Sequence, residues 1–140
     1  GESLLITELL VQAGKISIGR ARPYTLEGAF SFHPLTLQKR WQSFPSGHSA
    51  AAWAVAATLA GRVKSPGLRA VIYAMASGIS LSRIFLDKHF ASDVVAAALL
   101  GYFIGRKISQ PELMGNKARG ASIFINLGHR FMAFGLSYQF

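Results

Sequence analysis

The sequence predicts an all-α, membrane-embedded helical bundle with a short strand-like tail at its C-terminus. Two observations carry the helical, membrane-embedded part. Hydrophobic residues make up 51% of the 140-residue chain and charged residues only 15%, a more apolar balance than an ordinary soluble domain has. Small and apolar residues also gather into three helix-length runs, each about 27 Å long at ~1.5 Å per residue, close to the thickness of a hydrocarbon core. The third observation is a change of period near the end of the chain, from the helical 3.6 to 2. The length gives room for one hydrophobic core and not for two.

Taken from the N-terminus, residues 3–18 place Leu5, Ile6, Leu9 and Leu10 at helical spacing and predict a first helix. Gly19 and Pro23 end it, since the residue before a proline avoids helical backbone angles. Residues 24–44 mix aromatics with Gly28 and Pro34 and hold no period, so a long connection lying over the rest is expected. Ser46 is a suitable N-cap for a helix running to about residue 63, and Ser65-Pro66-Gly67 reads as a turn. Further helices are expected over 68–85 and 91–108. Ala50, Ala51, Ala52, Ala54, Ala56 and Ala57 line one helix, and Ala96, Ala97, Ala98 and Gly101 another. Small residues of this kind let helices approach closely in lipid. The polar run 109–120 reads as a linker. Beyond it, Met132, Phe134, Leu136, Tyr138 and Phe140 alternate with Ala133, Gly135, Ser137 and Gln139, a strand pattern that ASIFINL, residues 121–127, could pair with. The plan is thus a core over 1–108, a linker over 109–120 and a tail over 121–140.

With 15 Lys and Arg against 6 Asp and Glu, the formal charge is +9, which suits anionic partners: phosphorylated small molecules, anionic lipid surfaces or nucleic acid. Nucleic acid is set aside, because the basic residues are dispersed at helix ends and no recognised binding module is present. The absence of cysteine excludes disulfides, a thiolate nucleophile and zinc–cysteine sites. No signal peptide is expected over the residues from Gly1 onward, which lack its charged and apolar regions, the alternative being that one has been removed.

Three clusters carry the chemistry. Lys15 is followed after six residues by Arg22-Pro23; Pro45-Ser46-Gly47-His48 opens a helix; Ser82-Arg83 precedes His89, with Asp93 four residues beyond. Lys15, Arg22 and Arg83 are cations at pH 7. One such cation on an apolar helix would be a snorkelling or paired side chain, but three at the ends of different helices imply a shared anion. Ser46 and Gly47 begin a helix, where unpaired backbone N–H groups and the dipole attract an oxyanion. Glycine allows close approach and the serine hydroxyl adds a donor. A tetrahedral oxyanion fits the set.

His89 and Asp93, at i and i+4, would share one helix face if the last helix begins near His89. The expectation is a carboxylate hydrogen-bonded to Nδ1, which fixes the tautomer, leaves Nε2 free and supports positive charge as Nε2 attacks. His48, with no carboxylate near it in sequence, is then free to act as general acid. Alone, each cluster has a plainer reading: a hydrogen-bonded structural histidine, a helix-surface pair or two metal ligands, a turn with a cap.

Together, K-x6-RP, PSGH and SR-x5-H-x3-D resemble the three-part signature of the type 2 phosphatidic acid phosphatase superfamily, over roughly residues 15–108. The resemblance implies a phosphatase in a helical membrane bundle that needs neither metal nor other cofactor and acts on a lipid phosphate. It implies His89 as the nucleophile forming a phosphohistidine, Asp93 as its orienting partner, and His48 as acid and then base. Lys15, Arg22, Ser46, Gly47 and Arg83 would bind the phosphoryl oxygens. Phosphatidic acid, a polyprenyl diphosphate, phosphatidylglycerol phosphate and the 1-phosphate of lipid A are the substrates it suggests. The location it suggests is a bacterial inner or outer membrane, with the site facing the periplasm. Membrane members of the family carry helices ahead of the lysine motif, where this chain has at most one. The bundle is therefore expected to be incomplete at its N-terminus, as a trimmed piece of a longer protein or as a compact chain that completes itself as a homo-oligomer.

Two other readings share these residues. Vanadium-dependent haloperoxidases hold vanadate in an equivalent pocket, but the short alanine-rich helices here are unlike those large soluble proteins. A chain without upstream helices could also bind phosphate or anionic lipid without turnover. The alternation ending at Phe140 resembles the last strand of an outer-membrane β-barrel, which one or two strands cannot close; an edge strand or aromatic tail is the alternative. Trp41, Phe44, Lys39 and Arg40 form a cluster of the interfacial kind. His33 is expected in a solvated loop and Asp87 at a helix start, and His129 has no expected role.

Overall fold

The computed structural model describes residues 2–109, 122–128 and 131–137. Four helices follow one another: α1 (Glu2–Ile18), α2 (Gly47–Arg62), α3 (Pro66–Phe85) and α4 (Ala91–Ser109). The chain divides into two units, Gly1–Ser109 and Gln110–Phe140.

Local chemistry sets the helix starts. Ser65 accepts the Leu68 N–H, and Pro66 fills the first position of α3, so the expected turn at 65–67 is the beginning of the helix itself. Ser46 occupies the N-cap position of α2 with extended backbone, yet its hydroxyl makes no capping bond. Phe90 caps α4: its carbonyl accepts the Val94 N–H, and its own N–H donates to Asp93 Oδ2 at 3.0 Å, the carboxylate half of a capping box.

The seam between α2 and α4 is the packing centre. A Cβ placed on Gly101 would overlap the carbonyl oxygen of Ala50, and one on Gly105 would overlap that of Ala54. Only hydrogen side chains allow two helix backbones to come this close. Ala50, Ala54, Ala57 and Ala97 are fully buried. Val11 of α1 packs against Ala50 and Ala97. α3 joins α2 through Trp53, whose Nε1–H donates to Ser80 Oγ at 3.1 Å and whose ring stacks on Tyr73 with centroids 5.7 Å apart.

Large apolar side chains face outward on several helices, and α1 carries polar side chains on its inner face. α1 buries Ser3, Thr7 and Val11, while Leu5 and Leu9 are 67% and 72% exposed. Met75, Leu99 and Phe103 also face outward. Such surfaces are opposed by water and not by hydrocarbon. Among the described residues α3 is the one helix long and apolar enough to cross a membrane, fewer than the three runs the sequence suggested.

Between α1 and α2 the chain folds back on itself. Ala21 N–H donates to the Ser31 carbonyl at 2.9 Å, His33 N–H to Gly19 at 2.7 Å, Arg22 N–H to Arg40 at 3.0 Å and Ser43 N–H to Arg20 at 3.0 Å. The segment following α1 is thereby held against the segment leading into α2. Trp41 is buried, with its ring 3.6 Å from that of the exposed His33.

In the second unit, β1 (Ser122–Gly128) pairs antiparallel with β2 (Phe131–Ser137), Ser122 opposite Ser137 and Gly128 opposite Phe131. The period-2 run falls on β2 and ASIFINL on β1. Ser109, read as the first linker residue, ends α4. The rest of the linker, His129, and the terminal residues Tyr138, Gln139 and Phe140 on which the barrel likeness turned lie outside the described residues.

Candidate active site

The last turn of α1, the segment 19–22, the start of α2 and the first turn of α4 meet at one end of the first unit. Ser46 N–H donates to the Asp93 carbonyl at 3.2 Å, tying α2 to α4 there. Lys15 Nζ lies against the α2 terminus, where a Cβ on Gly47 would stand 3.3 Å from it. The glycine is what lets the ammonium group lie so near the backbone.

His89 comes from the connection 86–90 between α3 and α4 and is 4% exposed. Its Nδ1 lies 2.6 Å from the Ser43 carbonyl oxygen. A carbonyl only accepts, so Nδ1 carries the hydrogen and Nε2 keeps its lone pair. Burial is the main force holding the imidazole below its ordinary 6.5, at about 4; Arg22 and Lys15 push the same way, while the Ser43 carbonyl and Asp93 oppose them. The ring is neutral at pH 7.

Asp93 is fully buried and accepts from Arg20 Nη1 at 2.5 Å, Ser43 Oγ at 2.5 Å and the Phe90 N–H at 3.0 Å. Its Oδ2 is 4.0 Å from His89 Nδ1, beyond hydrogen-bonding length. The expected carboxylate–imidazole hydrogen bond is thus replaced by one to a backbone carbonyl. The reason is that α4 begins two residues after His89, so the i,i+4 geometry of a helix face does not apply. Asp93 is instead turned onto its own helix cap and onto Arg20. The tautomer is the expected one, fixed by a different group.

Sequence reasoning missed Arg20 and Ser43. Arg20 is 8% exposed; its Nε donates to the Ala29 carbonyl at 2.8 Å and Nη1 to Ser92 Oγ at 2.7 Å, with the guanidinium 4.6 Å from the centre of the Phe90 ring. An aspartate on an alanine-rich helix does call for a cation partner, but with 15 Lys and Arg in the chain nothing in the sequence singled out Arg20. Ser43 gave no signal, because two of its three polar contacts are made by backbone.

Of the residues read as a phosphate site, Ser46 Oγ and Arg22 Nε are buried and have no hydrogen-bond partner among the described residues. Donors so placed fit an oxyanion that would satisfy them. His48 is exposed on the first turn of α2, at one end of an apolar groove of about 440 Å³ between α2 and α3 that includes Ala52, Val55, Ile72 and Met75. Arg83 is half-buried and donates through Nε and Nη2 to Ser82 Oγ at 3.1 and 3.0 Å. Among the described residues no hydrogen bond or ion pair joins His48 or Arg83 to Lys15, Arg22, Ser46, Gly47, His89 or Asp93, six residues that the fold gathers at one end. Nor does any group of three or more His, Asp or Glu among them stand ready to hold a metal ion.

The model of the PAP2 superfamily matches residues 1–110. The chain is 35% identical over 101 residues to the lipid A 1-phosphatase of Rhizobium johnstonii, covering 71% of this chain and 41% of that protein. It is 35% identical to the Rhizobium etli lipid A 1-phosphatase, over 71% of this chain and 43% of that one. With the Porphyromonas gingivalis lipid A 1-phosphatase the identity is 37% over 98 residues, 69% of this chain and 19% of the relative. The chain thus spans less than half the length of these curated relatives. No solved structure matches it.

Proposed function

The chain belongs to the PAP2 superfamily, and from that premise we propose that it is a lipid phosphate phosphatase working through His89 as nucleophile. The state of His89 supports this most: buried, neutral at pH 7, Nδ1–H held by the Ser43 carbonyl, Nε2 open, and Lys15 and Arg22 close enough to act on it. In the first step Nε2 attacks phosphorus. The N–P bond forms as the P–O bond to the lipid breaks, the electron pair leaves on the lipid oxygen, and His48 supplies its proton. In the second, water attacks phosphorus while His48 takes a proton from it, the N–P bond breaks, and inorganic phosphate leaves with His89 neutral again.

Lys15, Arg22, Arg83, the Ser46 hydroxyl and the N–H of Gly47 hold the phosphoryl oxygens and oppose the charge of the transition state. His48 and Arg83 reach the phosphate once substrate is in place, a tightening usual for catalytic groups. Asp93, 4.0 Å from the ring, supports the positive charge that His89 acquires on attack.

The outward-facing leucines of α1 and the apolar groove that begins at His48 support a lipid carrier for the phosphate. Since the curated relatives are named lipid A 1-phosphatases, the 1-phosphate of an acylated saccharide comes first among substrates. Phosphatidic acid, a polyprenyl diphosphate and phosphatidylglycerol phosphate follow. The reading places residues 1–108 as the catalytic unit in a bacterial membrane, with the site toward the periplasm, 109–120 as linker and 121–140 as tail.

The test is phosphate release from this panel in detergent with EDTA present, comparing the chain with His89→Ala. Turnover that survives EDTA and drops by about 10³-fold or more in the variant is expected. A folded protein that binds phosphate or vanadate and releases none would point instead to binding without turnover.

A further inference from the structure

Ser43 uses every polar group it has, on His89 and on two residues around it. Its N–H donates to the Arg20 carbonyl at 3.0 Å, its Oγ donates to Asp93 Oδ2 at 2.5 Å, and its carbonyl accepts His89 Nδ1–H at 2.6 Å. Arg20 closes the circuit through Nη1, which donates to the other oxygen of Asp93. Ser43 and Asp93 are fully buried and Arg20 nearly so. Arg20, Ser43 and Asp93 therefore form a ring of three mutual contacts from which His89 hangs by one bond.

We propose that Arg20 and Ser43 are positioning residues for His89: the ring they close with Asp93 fixes the carbonyl that sets the tautomer and aim of the imidazole, and keeps the carboxylate from taking that place. What His89 does with that aim rests on the phosphatase reading. A buried arginine–aspartate pair is on its own a poor source of stability, because desolvation offsets the attraction. Its geometric effect is plain. With both oxygens of Asp93 engaged by Arg20, Ser43 and the Phe90 N–H, the carboxylate stands back at 4.0 Å and the Ser43 carbonyl becomes the partner of Nδ1. Without the guanidinium, the carboxylate would turn to the ring and make it more basic. The charged groups that act on His89 are Lys15 from α1, Arg22 from the segment after it, and Asp93 from α4, with Arg20 reaching the ring only through Asp93.

Arg20→Gln, Arg20→Lys, Ser43→Ala and Ser43→Thr test this in the full chain, by kinetics and by ¹⁵N NMR titration of His89 in detergent. For Arg20→Gln a fall in kcat of about 10²-fold with KM within about twofold is expected. The His89 midpoint should move up from about 4 by more than one pH unit, and Arg20→Lys should recover part of both. Ser43→Ala keeps the carbonyl but loses the Oγ bond; about a tenfold loss in kcat is expected, restored by Ser43→Thr. If Arg20→Gln does not fold, the Ser43 pair decides alone. Wild-type kcat and an unmoved midpoint in Arg20→Gln, or wild-type kcat in Ser43→Ala, would overturn the proposal. If the unmodified chain shows no turnover while the His89 midpoint moves in Arg20→Gln, the phosphatase reading fails and the positioning ring stands.

Discussion

At His89, burial and charge act on one imidazole, and the same shift that keeps the ring neutral at pH 7 weakens the fold in acid. The unfolded ring takes up its proton near 6.5 and the folded ring only near 4. Between those values the unfolded state binds more protons, so stability falls as pH is lowered from about 6.5 toward 4 and is unaffected by this group above 6.5. The thermal midpoint of the wild-type chain should therefore drop more steeply from pH 7 to 4.5 than that of His89→Gln, a comparison in which the carboxylates are common to both. Parallel slopes would mean that the ring is not buried as described. How much of this was legible in the sequence is a matter of range. Motif spacing singled out His89 and Asp93 as a pair, and they are neighbours. It could not tell that the helix starts after His89, nor that a backbone carbonyl from residue 43 would take the bond, because that partner is set by a loop closing over many residues.

The element that fixes the site's dimensions is the α2–α4 seam. Ser46 and Gly47 sit at the head of one helix and Asp93 in the first turn of the other, so the distance between the two helix heads follows from how closely the backbones meet at Gly101 and Gly105. Gly101→Leu puts a side chain where even a methyl overlaps the Ala50 carbonyl, and packing insertions of this kind cost about 1–3 kcal/mol or more. A lowered thermal midpoint together with lost turnover is expected, whereas Leu99→Ala, two residues away and 54% exposed, should change stability by no more than about 0.5 kcal/mol. Equal effects of the two in a detergent melt would show that the seam is not the packing centre. The alanine-rich runs made close helix approach legible beforehand. Which helices would meet was not, since alanine looks the same on every face.

For the whole molecule, the formal charge of +9 and the gathering of Lys15 and Arg22 beside His89 predict electrostatic capture of an anionic head group. The screening length falls from about 10 Å at 0.1 M salt to about 3 Å at 1 M. KM for a lipid phosphate in neutral detergent micelles should accordingly rise by about tenfold over that range while kcat moves less than about twofold; a KM indifferent to salt would mean that only contact-range charges matter. Composition made the basic balance and the apolar surface legible. The inversion of α1, with Ser3 and Thr7 inside and its leucines outside, was not, because period alone marks a stripe without saying which way it faces. Ser46 Oγ and Arg22 Nε, buried without a hydrogen-bond partner among the described residues, carry one thermodynamic consequence if the phosphate reading holds. An oxyanion that supplied their partners would bind the native state and not the unfolded chain, and the thermal midpoint should then rise as phosphate is added. Occupancy and folding would in that case share a single equilibrium, with the filled pocket as a keystone of the bundle.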